Sequence, residues 1–285
     1  MRTFVTETTA SLTQFVIVLL TTKFNDFVAS IVSQAQLEVQ FNFALMQQTS
    51  ASVTASALMT GSIFPNLTQP YFEIAGGYVD GMGGIMSVAF APLVKAEKQS
   101  EWVEYSIANQ GWIEESKRLR VVHPGHIDPL QGTIQDHESG RRLQESEPVS
   151  PYEPVTTFIW HWEDGRQVLE TGVPGEVLAP LWQVTPAEAS AVNVNLFSDE
   201  RVVDLYTAMV ASRQSLLSTT TEIEDLFDFL FDPDEKPKKS SPHAFLMEPV
   251  YSAFEESPEL VGFLLGVTSF ENIMDNVVQE GANGI

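Results

Sequence analysis

The sequence contains no cysteine, so disulfide bonds and thiolate metal sites are excluded. Basic residues are scarce as well: 15 Lys and Arg stand against 38 Asp and Glu, a formal net charge of −23. A surface this acidic repels phosphate backbones and anionic lipid headgroups, which argues against nucleic-acid binding. Solubility alone is the simplest explanation of the charge, and attraction of cations or cationic ligands is the alternative. The 44% of hydrophobic residues still suffices for a large core.

No hydrophobic run is long enough to span a membrane. The best run, Phe15–Leu20, is far shorter than the roughly 20 apolar residues that a spanning helix needs. It would also make a poor signal-peptide core, because Glu7 and several threonines precede it. We therefore expect the chain itself to be soluble, with membrane contact made only through segments outside this chain.

The sequence predicts one long helix from Phe24 to about Thr60, and proline and glycine are absent from all of Arg2–Thr60. From Phe24 onward the apolar residues recur at helical spacing, and the polar residues between them are mostly Gln, Ser and Thr. A stalk helix partly buried against a neighbour and an ordinary core helix both fit this pattern. Because Pro65 and Pro70 follow, we assign residues 1–63 to a stalk helix and 64–285 to a second folded region.

Taken together, the two regions predict an α+β fold. In it, a long N-terminal helix is followed by an antiparallel sheet with flanking helices. The glycine-rich stretch Gly76–Gly84 is predicted to be a flexible turn, and residues 121–155, rich in Pro, Gly and charge, a mobile surface loop. Predicted strands are Ile85–Val94, Thr156–Trp162 with a hairpin return at Gln167–Glu170, Leu178–Val184, Ala244–Phe254 and Leu260–Phe270. Predicted helices are Lys95–Gln110, Ser198–Ser218 with Ser198 as N-cap, Glu222–Glu235 and a short one from Glu271.

Catalytic and metal-binding motifs are sparse. The sequence has no G-x-S-x-G, no G-x-G-x-x-G and no Walker lysine. His123, His126, Asp128, Asp136 and Glu138 could in principle hold a divalent metal, although exposed loop residues are the simpler interpretation. We predict that the chain is not an enzyme and has no catalytic residue, resident metal or cofactor.

Aromatic residues on the predicted strands are the more suggestive feature. They either line a small-molecule pocket or form part of the core. As pocket-lining residues we predict Phe90, Trp160, Trp182, Phe245 and Tyr251. Separately, Asn66 lies in the sequence's one N-x-S/T sequon and is a candidate glycosylation site.

Several short motifs, taken in order, resemble a known family. They are Phe64–Glu73 (FPNLTQPYFE), Glu101-Trp102-x-x-Tyr105, Asn109–Trp112 (NQGW), Pro180–Gln183 (PLWQ) with Pro186, Pro249–Tyr251 (PVY) and Val261–Phe263 (VGF). Together they are similar to the sensor region of receptor-type class III guanylate and adenylate cyclases of diatoms and related algae. The resemblance covers roughly residues 24–285, and no single motif in it is specific by itself.

The resemblance implies a CHASE-type domain, in which a long helix leads into PAS-like sheets. Such a domain would lie on the extracellular side of the plasma membrane, bind an unknown small molecule, form a parallel homodimer and signal to a cyclase. The family's membrane helices and cyclase aspartates have no counterpart here, so we expect the chain to be a piece of a longer protein. A non-catalytic structural or interaction domain and a soluble small-molecule binder are the alternatives.

Overall fold

The structure is a computed structural model that describes residues 2–83, 85–122, 156–163, 166–219 and 242–269. The first part of the chain forms a single helix, α1 (Arg2–Thr60). The predicted end at Thr60 is confirmed, and Gly61 stops the helix by adopting a φ of +69°, which costs glycine little. The predicted start at Phe24 is wrong, because the preceding residues are also free of Pro and Gly and continue the helix to Arg2.

Mixed helix and antiparallel sheet follow α1, so the α+β class is confirmed. Within the described ranges the further helices are α2 (Phe72–Gly83), α3 (Gln99–Ala108), α4 (Trp112–Val122) and α5 (Glu200–Ser212). The strands are β1 (Ile85–Pro92), β2 (Val94–Lys95), β3 (Trp160–Glu163), β4 (Arg166–Leu169), β5 (Val177–Leu178), β6 (Gln183–Thr185), β7 (Leu216–Leu217), β8 (His243–Tyr251) and β9 (Leu260–Ser269). Short 3₁₀ turns lie at Ala96–Lys98, Ala189–Ala191 and Leu196–Ser198.

The main sheet has five strands in the order β6-β1-β9-β8-β7, and every neighbouring pair is antiparallel. The predicted pairing of the last two strands is confirmed, since β8 and β9 pair along their whole length. The predicted hairpin is confirmed too: β3 pairs with β4. The remaining pair, β2 with β5, lies outside the main sheet.

The two faces of the main sheet pack against different helices. Residues that pair across an antiparallel ladder point to the same face. A Cβ built on Gly266 would lie 3.2 Å from the Met46 Cε of α1, and one built on Gly76 of α2 would overlap Thr185 of β6. Thr185 and Gly266 both pair with Val88, so α1 and α2 cover one face. α5 and the 3₁₀ turn before it pack on the other.

The glycine-rich stretch is a helix, and the predicted flexible turn is wrong. α2 runs through Gly76, Gly77, Gly81 and Gly83. At Gly76 a Cβ would lie only 1.7 Å from the Thr185 Cγ2, so glycine is needed there for close packing of helix on sheet. Tertiary contact thus outweighs the low helix propensity of glycine.

Other predicted boundaries also need correction. The strand predicted at Thr156–Trp162 begins only at Trp160, and the one at Leu178–Val184 is split into β5 and β6. The helix predicted at Ser198–Ser218 is α5, which is capped by Asp199 and ends at Ser212, where Arg213 turns left-handed with a φ of +55°.

Several predictions fall outside the described residues. They are the helices at Glu222–Glu235 and from Glu271, and all of the loop 121–155 except its first two residues, which end α4. The division after residue 63 stays a prediction. Met46, Val53 and Ala57, on the second half of α1, are nevertheless part of the same core as the sheet.

Candidate functional site

Aromatic side chains and one Arg–Asp pair lie where α5 and the turn before it pack on the sheet. We call this group the α5 cluster. Its members are Phe197, Asp199, Arg201, Tyr206, Phe245 and Phe263. α5 is positioned there because Val202, Leu205 and Met209 recur at helical spacing and are buried. Its first turn is fixed by the Asp199 carboxylate, which accepts a hydrogen bond from the Arg201 backbone N–H at 2.8 Å.

Three rings of the cluster lie in mutual contact. The centroids of Phe197 and Tyr206 are 4.7 Å apart, and the Phe263 centroid lies 6.0 and 5.9 Å from them. These separations are typical of favourable aromatic pairs. On β8, Phe245 lies beneath the Arg201 Cζ, which is 6.0 Å from the ring centroid and so at the limit of a cation–π contact.

The charged pair in the cluster is held in a fixed geometry. Arg201 Nε donates to Asp199 Oδ1 at 2.9 Å, and Nη2 donates to Oδ2 at 2.5 Å. This hydrogen bonding raises the pKa of the Arg201 guanidinium, and burial raises the pKa of the Tyr206 phenol. The cluster therefore places a cation and a neutral phenol beside aromatic rings, of which Phe245 and Phe263 are fully buried.

Only one of the five predicted pocket residues, Phe245, belongs to the α5 cluster. Phe90 points to the opposite face of the sheet, since it pairs with Gln183 and Leu264 in the row that α1 and α2 cover. Trp160 is on β3, outside the main sheet, Trp182 immediately precedes β6, and Tyr251 ends β8. All except Tyr251 are fully buried. The structure does not bring the five together, and their role in ligand binding stays a prediction.

Trp182 lies in a separate buried layer of aromatic rings beside β6. Its centroid is 5.3 Å from that of Trp102 and 6.0 Å from those of Tyr105 and Trp112. Trp182 Nε1 donates to the Thr68 hydroxyl at 3.2 Å, and that hydroxyl is 2.8 Å from the Tyr105 Oη. Burial raises the pKa of Tyr105. The rings pack on one another, so this layer is core.

The sequon at Asn66 adjoins that layer. The Asn66 Oδ1 is buried, and the Thr68 hydroxyl that completes the sequon is engaged by Trp182 and Tyr105. Glycan addition at Asn66 stays a prediction, and the Thr68 end of the sequon is hydrogen-bonded to the interior.

A second polar site, which we call the helix–edge junction, joins α1 to β8. β7 pairs with only Leu246 and Met247, and Ser218 binds the Phe245 backbone beside them, so the Pro249 and Tyr251 carbonyls lie beyond β7 on this edge of β8. α1 covers them: the Ser50 hydroxyl donates to the Pro249 carbonyl at 2.6 Å, and the Thr54 hydroxyl donates to the Tyr251 carbonyl at 2.8 Å. Because the two hydroxyls are four residues apart, one face of the helix supplies both.

Glu248 is the titratable group of this junction. It pairs with Leu264 and is only 7% exposed. The Ser215 hydroxyl donates to its carboxylate, and the same hydroxyl accepts from Gln47 Nε2 of α1 at 3.1 Å. Burial raises the pKa of Glu248 to about 7, against the smaller lowering effect of the Ser215 hydrogen bond.

Metal and membrane chemistry can be stated for the described part of the chain alone. No group of three or more His, Asp and Glu side chains comes together there to hold a metal ion. His161 Nδ1 and Glu170 Oε2 form a pair at 2.8 Å. The metal candidates from His123 to Glu138 lie outside the described residues. Among the helices described, none combines the length and apolar character needed to cross a membrane.

The sequence interpretation missed Arg201 and Glu248, although each left a signal. Glu248 is the one charged residue within the apolar run 244–250, and Pro249 beside it suits an edge of the sheet. Arg201 follows two acidic residues at a helix start, where Asp199 competes with Ser198 as N-cap. Neither signal alone indicates which sheet face a side chain will reach.

No protein-family model matches this chain, and no curated protein matches it either. Any functional assignment therefore rests on the chain's own residues and geometry.

Proposed function

We propose that this chain is a ligand-sensing domain from the extracellular side of a membrane receptor, with α1 as the element that transmits ligand occupancy. The observation that carries this proposal is the apolar stripe of α1, which continues past the sheet that it packs on. The coupling to a nucleotide cyclase and the plasma-membrane location rest on the family resemblance of the sequence motifs.

The stripe is a single face of the helix in two environments. At 100° per residue, Phe24, Val28 and Ile31 lie on the same face as Met46, Val53 and Ala57. Met46 and Val53 are fully buried, whereas Phe24 is 65% exposed and Val32 is 50% exposed. A helix that is fixed at one end and apolar at its free end is suited to join the domain to a further element.

The strand order of the main sheet supports a PAS-like fold. Numbered only among the five strands of that sheet in chain order, the spatial order is 2-1-5-4-3, as expected for a PAS-like sheet. α1 covers one face, which leaves the α5 cluster on the other as the favoured ligand site. Fold alone does not assign function, so this supports the sensor class and not a particular ligand.

We further propose that the free half of α1 binds a second copy of this chain in parallel. Residues 27–37 of α1 contain no charged side chain, so two copies can approach there despite a net charge of −23. The partner helix would continue the apolar contacts that the sheet provides to the other half of α1. Exposed apolar residues in a row on a helix are characteristic of such contacts.

Sedimentation analysis of the full chain tests the dimer. Val28→Glu places a charge in the stripe, at a residue that is 41% exposed, and should raise the dimer dissociation constant at least about tenfold. Leu37→Glu is the matched control, because Leu37 is exposed but lies on roughly the opposite side of α1. A monomeric wild-type chain at high concentration, or equal effects of the two substitutions, would contradict the proposed dimer.

A thermal-shift screen tests ligand sensing at the α5 cluster. Amines, nucleosides, amino acids and carboxylates are added to the full chain, and a ligand at 100 times its Kd should stabilise the fold by about 3 kcal/mol. Arg201→Gln should abolish the shift, and Arg166→Gln, at an exposed arginine of β4, should leave it intact. The ligand proposal loses its support if no compound class shifts the melting temperature.

A structural or interaction domain without a ligand is the second candidate. It is favoured by the burial of Phe90, Trp160, Trp182 and Phe245 in packed surroundings. The two experiments above separate the candidates, since a chain that dimerises through α1 and binds no compound would be an interaction domain.

A further inference from the structure

We propose that the helix–edge junction is a proton-sensitive latch, in which protonated Glu248 keeps α1 seated on β8 and ionised Glu248 loosens it. The device lies on the opposite sheet face from the α5 cluster and needs no organic ligand. Its parts are Gln47, Ser50 and Thr54 of α1, Ser215 before β7, and Glu248 of β8.

The geometry couples the carboxyl group directly to α1. Glu248 binds Ser215, Ser215 binds Gln47, and Gln47 lies one helical turn from Ser50, whose hydroxyl is bound to the neighbouring Pro249 carbonyl. Water drawn to an ionised Glu248 would compete with the hydrogen bonds that join Glu248, Ser215 and Gln47. The contacts it would disturb are the side-chain bonds that seat the helix.

No opposite charge compensates Glu248 within the described part of the chain. α1 has no charged residue between Val39 and Thr60, and β1, β7 and β9 have none at all. On β8 the other titratable groups are Tyr251 and His243, and His243 alternates to the opposite face. Arg213, two residues before Ser215, forms no salt bridge with Glu248. Ionisation therefore places an unpaired charge in this junction.

The direction of the response follows from burial. Because burial raises the pKa of Glu248 to about 7, the seated state holds its proton at pH values where an open, hydrated state has lost it. Opening of the junction therefore becomes easier as the pH rises from the ordinary glutamate range through neutrality, and changes little above that.

Hydrogen exchange of the full chain, followed peptide by peptide, measures this opening. The rate for residues 44–57 of α1, corrected for the intrinsic effect of pH, should rise about tenfold to thirtyfold between about pH 5.5 and about pH 8.5. Glu248→Gln should remove the rise. Glu256→Gln, at an exposed glutamate between β8 and β9, is the matched control and should retain it.

A second variant keeps the test decisive if Glu248→Gln does not fold. The Ser215 hydrogen bond lowers the pKa of Glu248, so Ser215→Ala should move the midpoint of the rise to higher pH. The latch is refuted if wild-type exchange at residues 44–57 changes less than twofold, if Glu248→Gln keeps the rise, or if residues 72–83 of α2 respond equally, since that would indicate general loosening.

Discussion

The two halves of α1 carry the same apolar stripe and yet meet different surroundings. From residue 42 to 57 the stripe is buried on the sheet, and from residue 24 to 41 it is partly or largely exposed. Both halves also carry Ser and Gln. In the second half, Gln47, Ser50 and Thr54 bind partners outside the helix, at Ser215 and at the β8 edge.

The difference between the two halves of α1 shows what an apolar periodicity can predict about a helix and what it cannot. Periodicity indicates which side of a helix avoids water, because apolar area has a favourable free energy of burial wherever it is covered. It does not indicate what covers that side. In α1 the sheet covers one half, and the proposed second copy would cover the other, so substitutions in the two halves should report different equilibria.

An introduced carboxylate should give the largest difference in free energy of unfolding between the two halves of α1. Val53→Asp places a carboxylate in the core between α1 and the sheet and should lower the free energy of unfolding by about 4 kcal/mol or more. Val32→Asp makes the same change on the exposed half, where monomer stability should change by less than about 0.5 kcal/mol. Urea unfolding at low protein concentration measures both.

Similar losses at the two positions would contradict this comparison. They would mean that the first half of α1 is also packed on its own chain. Repeating the measurement at high protein concentration sharpens the result, because Val32→Asp should then lose stability in proportion to the dimer it disrupts.

The stability of the seated half should depend on pH with a defined sign. Glu248 has a folded pKa raised to about 7, above its unfolded value, so its stabilising contribution is complete below the unfolded pKa and is lost as the pH rises through 7. The loss should be about 2 to 3 kcal/mol. Glu248→Gln should flatten this part of the profile and be more stable than wild type at alkaline pH. An unchanged profile would assign the effect to other groups.

α2 is the other helix on the sheet face that α1 covers, and at Gly76 it approaches the sheet more closely than α1 does. Gly76→Ala brings its Cβ onto Thr185 and should cost about 2 kcal/mol. Gly77→Ala, one residue later, meets no atom within 4 Å and should gain about 0.5 to 1 kcal/mol from helix propensity. Thermal unfolding of the pair checks the sign of each; a gain at both positions would mean that α2 does not press on β6.

Local pattern predicted much of this fold. The end of α1, β1, the β3–β4 hairpin and the β8–β9 pair were all readable from apolar runs, Pro and Gly. α2 was not, because the need for glycine at Gly76 comes from Thr185, a residue more than 100 positions away in sequence. Propensity carries no information about such a contact.

The polar sites were harder to predict for the same reason. Arg201 and Asp199 lie close in sequence, but Phe245 reaches them only through the packing of α5 on β8. The environment of Glu248 depends on where α1 crosses the sheet. The role of Trp160 and Trp182 in a pocket stays a prediction, and the indole N–H groups shown here serve the interior: Trp102 donates to Asn193, and Trp160 donates to the Val192 carbonyl.

The smallest expected effect concerns the hydroxyls that seat α1. Thr54→Ala removes the donor to the Tyr251 carbonyl and should cost about 1 kcal/mol, since a partly buried acceptor loses its partner. Thr207→Ala on α5 is the matched control, because its hydroxyl donates at 2.8 Å to the Val203 carbonyl of its own helix, which already has a backbone partner. That substitution should be neutral or stabilising by a few tenths of a kcal/mol. Equal effects would mean that the Thr54 bond adds nothing beyond helix propensity, and the seating of α1 would then rest on apolar contact and Glu248 alone.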